Sequence, residues 1–363
     1  MPRIDAFLKL GTTQACSDVH LAVGVPPMLR MNGELVPIRF RDLGEAELES
    51  YINEILSRNL SERFRGGHDV DFSYVTEEGG RFRVNVFRKD SGVGAVFRSI
   101  PNEVPTLDSL NLPPIVRKLC DYHQGMILVT GSTGTGKSTT LAAMIDLLNS
   151  TRRLNVISLE DPIEFVHRSK HSQIVQRELG THLPSFAEGV RAAMREDPDV
   201  ILVGELRDAD TIAMAMTAAE TGHLVLGTLH TTSAVKTIDR MIDALPADQR
   251  EQTKSFLAQS LLAVITQVLV RRPENRGRKA LCEIMIMNRA IAKLIQTDQT
   301  HQIPAQVQTG RELGMQLLDQ AMLSAIKAKE IDPDDAFAYA TDKRQFAKFV
   351  VDRSLLPRIE TLE

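Results

Sequence analysis

The sequence predicts an α/β protein built from two parts of different architecture. From about residue 115 onward, short apolar runs alternate with stretches of helical periodicity, which is typical of a parallel sheet covered by helices. Residues 1–98 instead combine a helical stripe with alternating strands, which indicates a small α+β domain. Four prolines between residues 99 and 114 break regular structure. We therefore expect a first domain at 1–98, a linker at 99–114 and a second domain at 115–363.

The first domain shows one helical stripe followed by two strands. Apolar residues recur at helical spacing over residues 43–64, and Gly66 then marks the end of the helix. Residues 81–88 alternate between apolar and polar side chains, and 92–98 form a second extended run. This pattern predicts one helix and two strands in the α+β domain.

The second domain contains four candidate buried strands, each followed at once by glycine or polar residues. They are residues 126–130, 155–159, 200–203 and 224–228. Ligands of open parallel sheets bind outside the carboxyl ends of the strands, so the sequence places the chemistry there. Beyond Pro246, apolar residues recur at helical spacing in two stripes, which predicts a helical carboxyl-terminal region.

Composition excludes several classes of protein. Lys and Arg total 43 against 47 Asp and Glu, and there is no Trp, so a direct nucleic-acid partner is not expected. The three cysteines, Cys16, Cys120 and Cys282, lie too far apart for zinc ligation or a disulfide framework, so we expect buried thiols. No apolar run approaches the ~20 residues of a membrane span, and no secretory signal is evident. A cytoplasmic location is expected.

The segment GSTGTGKSTT at 131–140 fits the P-loop pattern, directly after a strand and before a helical stretch. Such a loop wraps its N–H groups around phosphate oxygens, with the helix end adding positive potential. Lys137 is expected to neutralise phosphate charge, and the Ser138 hydroxyl to hold Mg²⁺. The alternative is a glycine turn that binds nothing. The predicted phosphate-binding residues are Gly131, Ser132, Thr133, Gly134, Thr135, Gly136, Lys137, Ser138 and Thr139.

Two carboxylates follow neighbouring strands. Glu205 comes after the strand at 200–203, displaced by one residue from the usual position of a Walker B acid. It can activate the attacking water or hold Mg²⁺ through water. Glu160 ends the strand at 155–159. Both could instead be solvated loop acids, and spacing alone does not decide which is the general base, although we favour Glu205.

A histidine and two arginines complete the candidate site. His230 follows the strand at 224–228 and could hydrogen-bond a γ-phosphate, or else serve as a structural cap. Arg83 and Arg98 lie on the two strands of the first domain. They are either a solvated strand surface or arginine fingers that stabilise charge on the transferring phosphoryl group.

Four motifs together resemble those of secretion-superfamily ATPases, specifically the type IV pilus retraction ATPases of twitching motility. These are the P-loop, the acidic segment ISLEDPIEFVH, the strand DPDVILVGELRD and the histidine segment TAAETGHLVLGTLHTTSA. CSDVHLAVGVPPMLRMNGEL and LGMQLLDQAM resemble the first and last parts of that family. The similarity spans nearly the whole chain.

The resemblance implies a homo-hexamer whose subunits have a PAS-like amino-terminal domain and a RecA-like ATPase domain. It implies that ATP and Mg²⁺ are the cofactors, that Glu205 is the main catalytic acid and Glu160 assists it, and that Arg83 and Arg98 contact the phosphates. It also implies docking on the inner-membrane platform protein of the pilus machine, through which hydrolysis acts on pilin. The expected place is the cytoplasmic face of the inner membrane.

One segment departs from the family pattern. Residues 290–297 read AIAKLIQT where retraction ATPases commonly read AIRNLIRE. The departure leaves the phosphate site intact but makes two alternatives reasonable: an accessory retraction paralogue, or a nucleotide-gated regulatory subunit with weak turnover. A nucleic-acid motor is a third alternative, which the charge balance disfavours.

Overall fold

The described residues form two compact units. The first unit is Met1–Glu103 with Pro162–Val166, and the second is Val104–Asp161 with His167–Glu363. The domain limits and the linker derived from the prolines stay predictions, and residues 101–102 of that linker lie outside the described part. The computed structural model describes residues 2–14, 16–31, 34–100, 103–275 and 277–356.

The first unit contains a six-stranded antiparallel sheet in the order β3-β2-β1-β6-β5-β4. The predicted single stripe at 43–64 is wrong in one respect, because it forms two helices. Ser57 accepts a hydrogen bond from the Leu60 N–H and so begins a new helix. The elements are α1 (Asp5–Thr13), β1 (Asp18–Ala22), β2 (Met28–Met31), β3 (Glu34–Pro37), α2 (Glu45–Asn53), α3 (Arg58–Arg65), β4 (Val70–Val75), β5 (Arg81–Lys89) and β6 (Gly92–Ile100).

One face of this sheet forms the core of the first unit. Phe82, Val84 and Val86 of β5 are buried, as their alternation predicts, and pack in one cluster with residues of α1 and α2 such as Leu8 and Leu48. The intervening residues of β5 are only partly buried. The sheet therefore has one apolar face and one polar face.

The second unit is larger and mixes helices with a seven-stranded sheet. Its elements are α4 (Ile115–Leu119), β7 (Gly125–Thr130), α5 (Lys137–Thr151), β8 (Asn155–Glu160), β9 (Gln173–Glu178), α6 (Phe186–Ala193), β10 (Val200–Val203), α7 (Ala209–Glu220), β11 (Leu224–Leu229), α8 (Ala234–Asp243), α9 (Arg250–Ser260), β12 (Leu261–Arg271), β13 (Arg278–Ile286), α10 (Arg289–Gln296), α11 (Ile303–Thr309), α12 (Leu318–Lys327), α13 (Pro333–Tyr339) and α14 (Lys343–Phe346).

The strand order of this sheet is β13-β12-β7-β11-β10-β8-β9. All neighbouring pairs are parallel except β12 with β13. The four strands predicted from apolar runs are confirmed as β7, β8, β10 and β11. Because these strands are parallel and adjacent, their carboxyl ends lie side by side along one edge of the sheet.

Helices cover both faces of the sheet. One cluster joins Ile127 and Val129 of β7 to α5, while another joins Met126 and Leu128 of the same strand to α6, α7, α8 and α9. Every residue of β7, β10 and β11 is buried as a result. Among the helices of the described residues, none combines the length and the apolar character needed to cross a membrane.

The prediction of a helical region beyond Pro246 is wrong between residues 261 and 286. The first apolar stripe begins in α9 but continues into β12, which pairs with β7 and β13. A strand buried on both faces has no period-two alternation, so its apolar run can be mistaken for a helical stripe. The second stripe does contain a helix, α12, which starts at Leu318.

Candidate active site

The loop after β7 has the backbone shape of a phosphate-binding loop. Gly131, Gly134 and Gly136 have φ values of +139°, +79° and +88°, which side chains rarely tolerate. A Cβ on Gly131 would lie 2.4 Å from the backbone oxygen of Gln267. Glycine is thus required where the loop passes close to β12, and the loop is left lined by its own backbone.

Lys137 is the first residue of α5 and is buried. Its Nζ donates hydrogen bonds to the backbone oxygens of Gly131 at 2.9 Å and Ser132 at 3.0 Å. Ser138 and Thr139 follow in the first turn and are partly buried. The ammonium group therefore lies across the loop at the amino end of the helix, where an anion is favoured.

The side chain of Gln267, on β12, supports the loop. Gln267 donates from Nε2 to the Thr135 carbonyl at 2.7 Å and accepts from the Thr140 hydroxyl at 2.8 Å. The adjacent Thr266 instead bonds the hydroxyl of Thr130 in β7 at 2.8 Å, within the sheet and outside the loop. Both side chains are buried, so these hydrogen bonds satisfy polar groups that would otherwise be costly.

Glu205 lies between two cationic or polar partners at the end of β10. Its Oε2 is 2.8 Å from Arg207 Nε and its Oε1 is 3.1 Å from His230 Nε2. Its side chain is 19% exposed, whereas that of Arg207 is 60% exposed. Arg207 also lies 3.9 Å from Asp161. The structure therefore brings the predicted acid and the predicted histidine into direct contact.

Glu160 ends β8, the strand next to β10. Its Oε1 accepts hydrogen bonds from Ser158 Oγ at 2.6 Å and from Gln176 Nε2 at 3.0 Å. A Cβ on Gly204 would lie 3.0 Å from the Leu159 oxygen and 3.3 Å from the Glu160 Cα. A side chain here would be tightly packed against β8, so the backbone before Glu205 lies beside Glu160.

The two histidines at the ends of β11 are at opposite edges of the sheet. His230 follows the carboxyl end, beside Glu205. His223 precedes the amino end, and its Nδ1 lies 2.8 Å from the Ala218 oxygen in the last turns of α7. His223 therefore lies away from the loop and contacts the end of a helix.

Arg83 and Arg98 are direct cross-strand partners on β5 and β6, on the polar face of the first unit's sheet. Arg98 is also opposite Asp18 of β1, and its Nε lies 3.0 Å from Asp18 Oδ1. Two like charges directly opposite one another repel. Among the cross-strand neighbours of these two arginines, Arg98 therefore has an acidic partner, Asp18, whereas Arg83 faces Arg98 and Ser73.

A carboxylate on β13 holds the helix that begins beyond His230. Glu283 accepts a hydrogen bond from the backbone N–H of Ala234 at 2.7 Å, and the Leu318 N–H is a second backbone donor to it. Burial raises the pKa of Glu283, and the two backbone bonds oppose this shift. Glu283 thereby connects the starts of α8 and α12.

The three cysteines are buried, as predicted. Burial raises the pKa of Cys120 and of Cys282 to about 12, so both are protonated thiols at neutral pH. Within the described ranges there is no cluster of three His, Cys, Asp or Glu side chains that could bind a metal ion.

Comparison with known proteins identifies the family. The sequence pattern of the type II/IV secretion system proteins matches residues 29–336. The chain is 44% identical to the type IV pilus retraction ATPase PilT of Pseudomonas aeruginosa, over 92% of this chain and 96% of that protein. It is 46% identical to a twitching motility protein of Neisseria gonorrhoeae, over 91% and 88% of the two chains. The chain belongs to the secretion-superfamily ATPases, among the PilT-like proteins.

A crystal structure of the pilus retraction motor PilT with bound ADP has the same fold. Its TM-score is 0.88 at 39% identity, covering 95% of this chain and 98% of that one. The expected combination of an amino-terminal domain with a P-loop ATPase domain is therefore confirmed. The assignment of individual site residues in this PilT-like chain stays a prediction.

Three side chains at the site of this PilT-like ATPase were missed by the sequence analysis: Gln267, Arg207 and Gln176. Gln267 left a signal, because it is a polar residue within an apolar run. Arg207 and Gln176 left none, since an arginine after a strand and a glutamine within one are ordinary surface residues.

Proposed function

We propose that this chain is the subunit of a hexameric, ATP-hydrolysing motor that powers type IV pilus retraction. One observation carries the proposal. Adjacent parallel strands bring the P-loop, His230, Glu205 and Glu160 to one edge of the sheet, in a chain 44% identical to a pilus retraction ATPase. The ATP-binding loop and the acids are thus arranged for phosphoryl transfer to water.

The loop at 131–139 suits the phosphates of ATP because its glycines adopt positive φ values, which let the backbone curve and turn its N–H groups toward an anion. Lys137 supplies positive charge to the β- and γ-phosphates, and the loop N–H groups donate to their oxygens. The Ser138 hydroxyl and, through water, Glu205 would hold Mg²⁺, which prefers such oxygen donors. When bound, Mg²⁺ neutralises charge on the phosphates.

Glu205 acts as the general base. A carboxylate oxygen of Glu205 takes a proton from the attacking water, whose oxygen bonds to the γ-phosphorus while the bond to the ADP oxygen breaks. In the structure His230 Nε2 lies 3.1 Å from the Oε1 atom of Glu205. When His230 hydrogen-bonds the γ-phosphate instead, Oε1 becomes available to water. Glu160 assists Glu205 from the end of the neighbouring strand, where it orients the side chains of Ser158 and Gln176.

Arg83 and Arg98 stabilise the charge that develops on the transferring phosphoryl group. Their side chains are direct neighbours on the polar face of the first unit's sheet. A phosphate anion would relieve the repulsion between them, which favours a role in binding anions over a solvated surface.

The motor acts at the cytoplasmic face of the inner membrane through protein partners. Six copies form the ring, and the ring docks on the platform protein of the pilus machine. Hydrolysis then drives the removal of pilin from the pilus base. Peripheral membrane association arises from this docking.

A second candidate function is an accessory retraction paralogue or a regulatory subunit with weak turnover. The segment 290–297 favours it. Ala292, Gln296 and Thr297 replace the two arginines and the glutamate of the family motif. Gln296 and Thr297 are exposed, whereas Ile291 and Ile295 of the same segment are buried. The departure therefore changes a surface of α10 and leaves its packing intact.

Hydrolysis by the purified protein distinguishes the motor from the regulatory subunit. We expect Mg²⁺-dependent turnover that is abolished in Lys137→Ala and in Glu205→Ala. Turnover that survives both substitutions would exclude this active site. Turnover at background in the intact protein would favour the regulatory subunit.

Deletion of the gene tests the direction of the motor. We expect excess surface pili and loss of twitching, with both restored by the intact gene and neither by the Glu205→Ala form. Loss of pili would instead indicate an extension motor. Unchanged motility with a second retraction ATPase present would indicate the accessory paralogue.

A further inference from the structure

Gln267 is a buried polar residue in the interior of the sheet of the second unit. It belongs to β12, which lies between β7 and β13, and is only 2% exposed. The two residues before it on the strand, Ile265 and Thr266, are also buried. A side-chain amide in such a place destabilises the fold unless both its donor and its acceptor are bonded.

The hydrogen bonds of Gln267 span the phosphate loop. The Nε2 donor reaches the carbonyl of Thr135, near the end of the loop, at 2.7 Å. The Oε1 acceptor binds the hydroxyl of Thr140, in the first turn of α5, at 2.8 Å. One rigid amide thus fixes the spacing between the loop and the helix that carries Lys137 and Ser138.

The bond to Thr135 also sets the direction of a loop N–H group. In a trans peptide the C=O of one residue and the N–H of the next point in opposite directions. Since the Thr135 carbonyl points to Gln267, the Gly136 N–H points to the other side of the loop, away from β12. An N–H group held in that direction is available to a phosphate oxygen.

The same strand also limits the loop by contact. The backbone oxygen of Gln267 lies 2.4 Å from the place of a Cβ on Gly131, and its Nε2 lies 2.9 Å from the place of a Cβ on Gly136. Gln267 is therefore packed against both ends of the glycine loop as well as hydrogen-bonded to it.

We infer that Gln267 is a positioning residue for nucleotide binding, which holds the phosphate loop in its binding conformation before the nucleotide arrives. The inference rests on the proposed binding of ATP at this loop. A glycine-rich segment loses much conformational entropy when it is ordered, so a residue that orders it in advance improves affinity. Gln267 acts through the loop and does not itself take part in the transfer.

The inference requires both the Nε2 donor and the Oε1 acceptor of Gln267, so the variants remove one or both of them. Gln267→Met keeps the length of the side chain and removes the donor and the acceptor. Gln267→Glu keeps an acceptor for Thr140 but places a carboxylate oxygen against the Thr135 carbonyl. Thr266→Val is the matched control, because Thr266 is the adjacent, equally buried residue, and its hydroxyl bonds Thr130 within the sheet.

The test measures nucleotide affinity, turnover and thermal stability on the full-length protein. Fluorescent ADP and a non-hydrolysable ATP analogue serve as the probes. We expect Gln267→Met to weaken the affinity for both probes by roughly ten- to a hundredfold, which is the effect of losing one to two hydrogen bonds. KM for ATP rises in parallel, while kcat at saturation stays within about threefold, since ground state and transition state lose the same interaction.

The control separates positioning from simple loss of stability. We expect Thr266→Val to lower the melting temperature while leaving affinity and KM as in the unaltered protein. Gln267→Met should also lose most of the melting-temperature increase that ADP produces. Gln267→Glu should resemble Gln267→Met, because it cannot donate to Thr135.

Three results would overturn the inference. Gln267→Met could bind both probes as tightly as the unaltered protein does, which would leave the nucleotide site in place and remove only the role of Gln267. Thr266→Val could raise KM as much as Gln267→Met, which would reduce the effect to general stability. The unaltered protein could bind neither probe, in which case the proposed nucleotide site itself fails.

A variant at the other end of the hydrogen bond covers the case in which Gln267→Met does not fold. Thr140→Val removes the hydroxyl that Gln267 accepts from and leaves the strand unchanged. We expect KM for ATP to rise several-fold with kcat retained. An unchanged KM in Thr140→Val would overturn the inference in the same way.

Discussion

The two sheets of the molecule place their polar side chains in different ways. In the first unit, β5 alternates between the buried core and a polar face that carries Arg83. In the second unit, every residue of β7, β10 and β11 is buried, because helices cover both faces. Polar groups of these strands are therefore confined to their ends.

This difference determines what a substitution removes. An arginine on the open face can be truncated without disturbing the core beneath it, so its loss should affect function far more than stability. A residue at a strand end is held by neighbouring backbone, as Glu205 is held beside Glu160 by the close passage at Gly204. Its chemistry and its local structure are harder to separate.

Truncation of a face arginine is expected to have the largest effect. Arg98→Ala should lower kcat by roughly 10³-fold or more, the effect reported by loss of an arginine finger, while nucleotide affinity falls much less. Steady-state hydrolysis and a fluorescent-ADP titration measure the two quantities. Arg58→Ala is the control, since that arginine is 93% exposed and pairs only with Glu62 on α3 among the described residues.

Equal losses of turnover and affinity in Arg98→Ala would contradict the finger and indicate a binding or structural role. Because Arg98 also pairs with Asp18, Asp18→Asn is a second control. It removes the ion pair and keeps Arg98. If Asp18→Asn reproduces the loss of turnover, the ion pair rather than the free guanidinium is responsible.

Replacement of the strand-end acid is expected to have the next largest effect. Glu205→Gln keeps the shape of the side chain and removes the base, so kcat should fall by about 10²- to 10³-fold with ADP affinity nearly unchanged. Glu188→Gln, an exposed carboxylate on α6, is the control. If Glu205→Gln hydrolyses ATP normally, Glu160 becomes the better candidate for the base.

Sequence patterns predicted the edge of the second sheet well, for a physical reason. A buried parallel strand has a short apolar run with an abrupt polar end, and the P-loop requires glycines at fixed positions. Gly131, Glu160, Glu205 and His230 could therefore be placed just at or after strand ends, and Lys137 at the start of the following helix, from the sequence alone. Because the strands are parallel and adjacent, these residues lie close to one another at one edge of the sheet.

The patterns failed where one signal fits two structures. The apolar run of β12 lacks alternation because it is buried on both faces, so it was mistaken for a helix. With that strand misassigned, the contact of Gln267 with the loop could not be foreseen, since it depends on β12 lying beside β7. The Arg207 contact was equally hidden, because side-chain pairing across a loop has no sequence period.

His167 is the residue at which the chain re-enters the second unit after residues 162–166. It allows a test of how the stability of this unit depends on pH. Burial lowers the pKa of His167 to about 4, with Lys170 adding to the shift and Asp146 opposing it. The folded state then binds fewer protons than the unfolded state, so stability is lost as pH falls from about 6.5 toward 4. At pH 5 the free energy of unfolding is lower by about 2 kcal/mol, which corresponds to several degrees in melting temperature.

His167→Gln removes this titrating group. Its melting temperature should therefore fall less between pH 7 and pH 5 than that of the unaltered protein. His171→Gln is the matched control, as His171 is an exposed histidine four residues further on. If the two variants show the same pH dependence as the unaltered protein, the lowered pKa of His167 contributes nothing to stability.

The smallest effect is expected at Arg207, which holds one oxygen of Glu205 while His230 holds the other. Arg207→Ala leaves Glu205 in place with one partner, so its carboxylate should adopt additional rotamers and kcat should fall about tenfold. Arg207→Lys should recover part of the loss, and Arg191→Ala, an exposed arginine on α6, should cause none. A rise in kcat in Arg207→Ala would show the opposite, that the ion pair restrains the base. In that case the ion pair with Arg207 would have to open before Glu205 could act as the base.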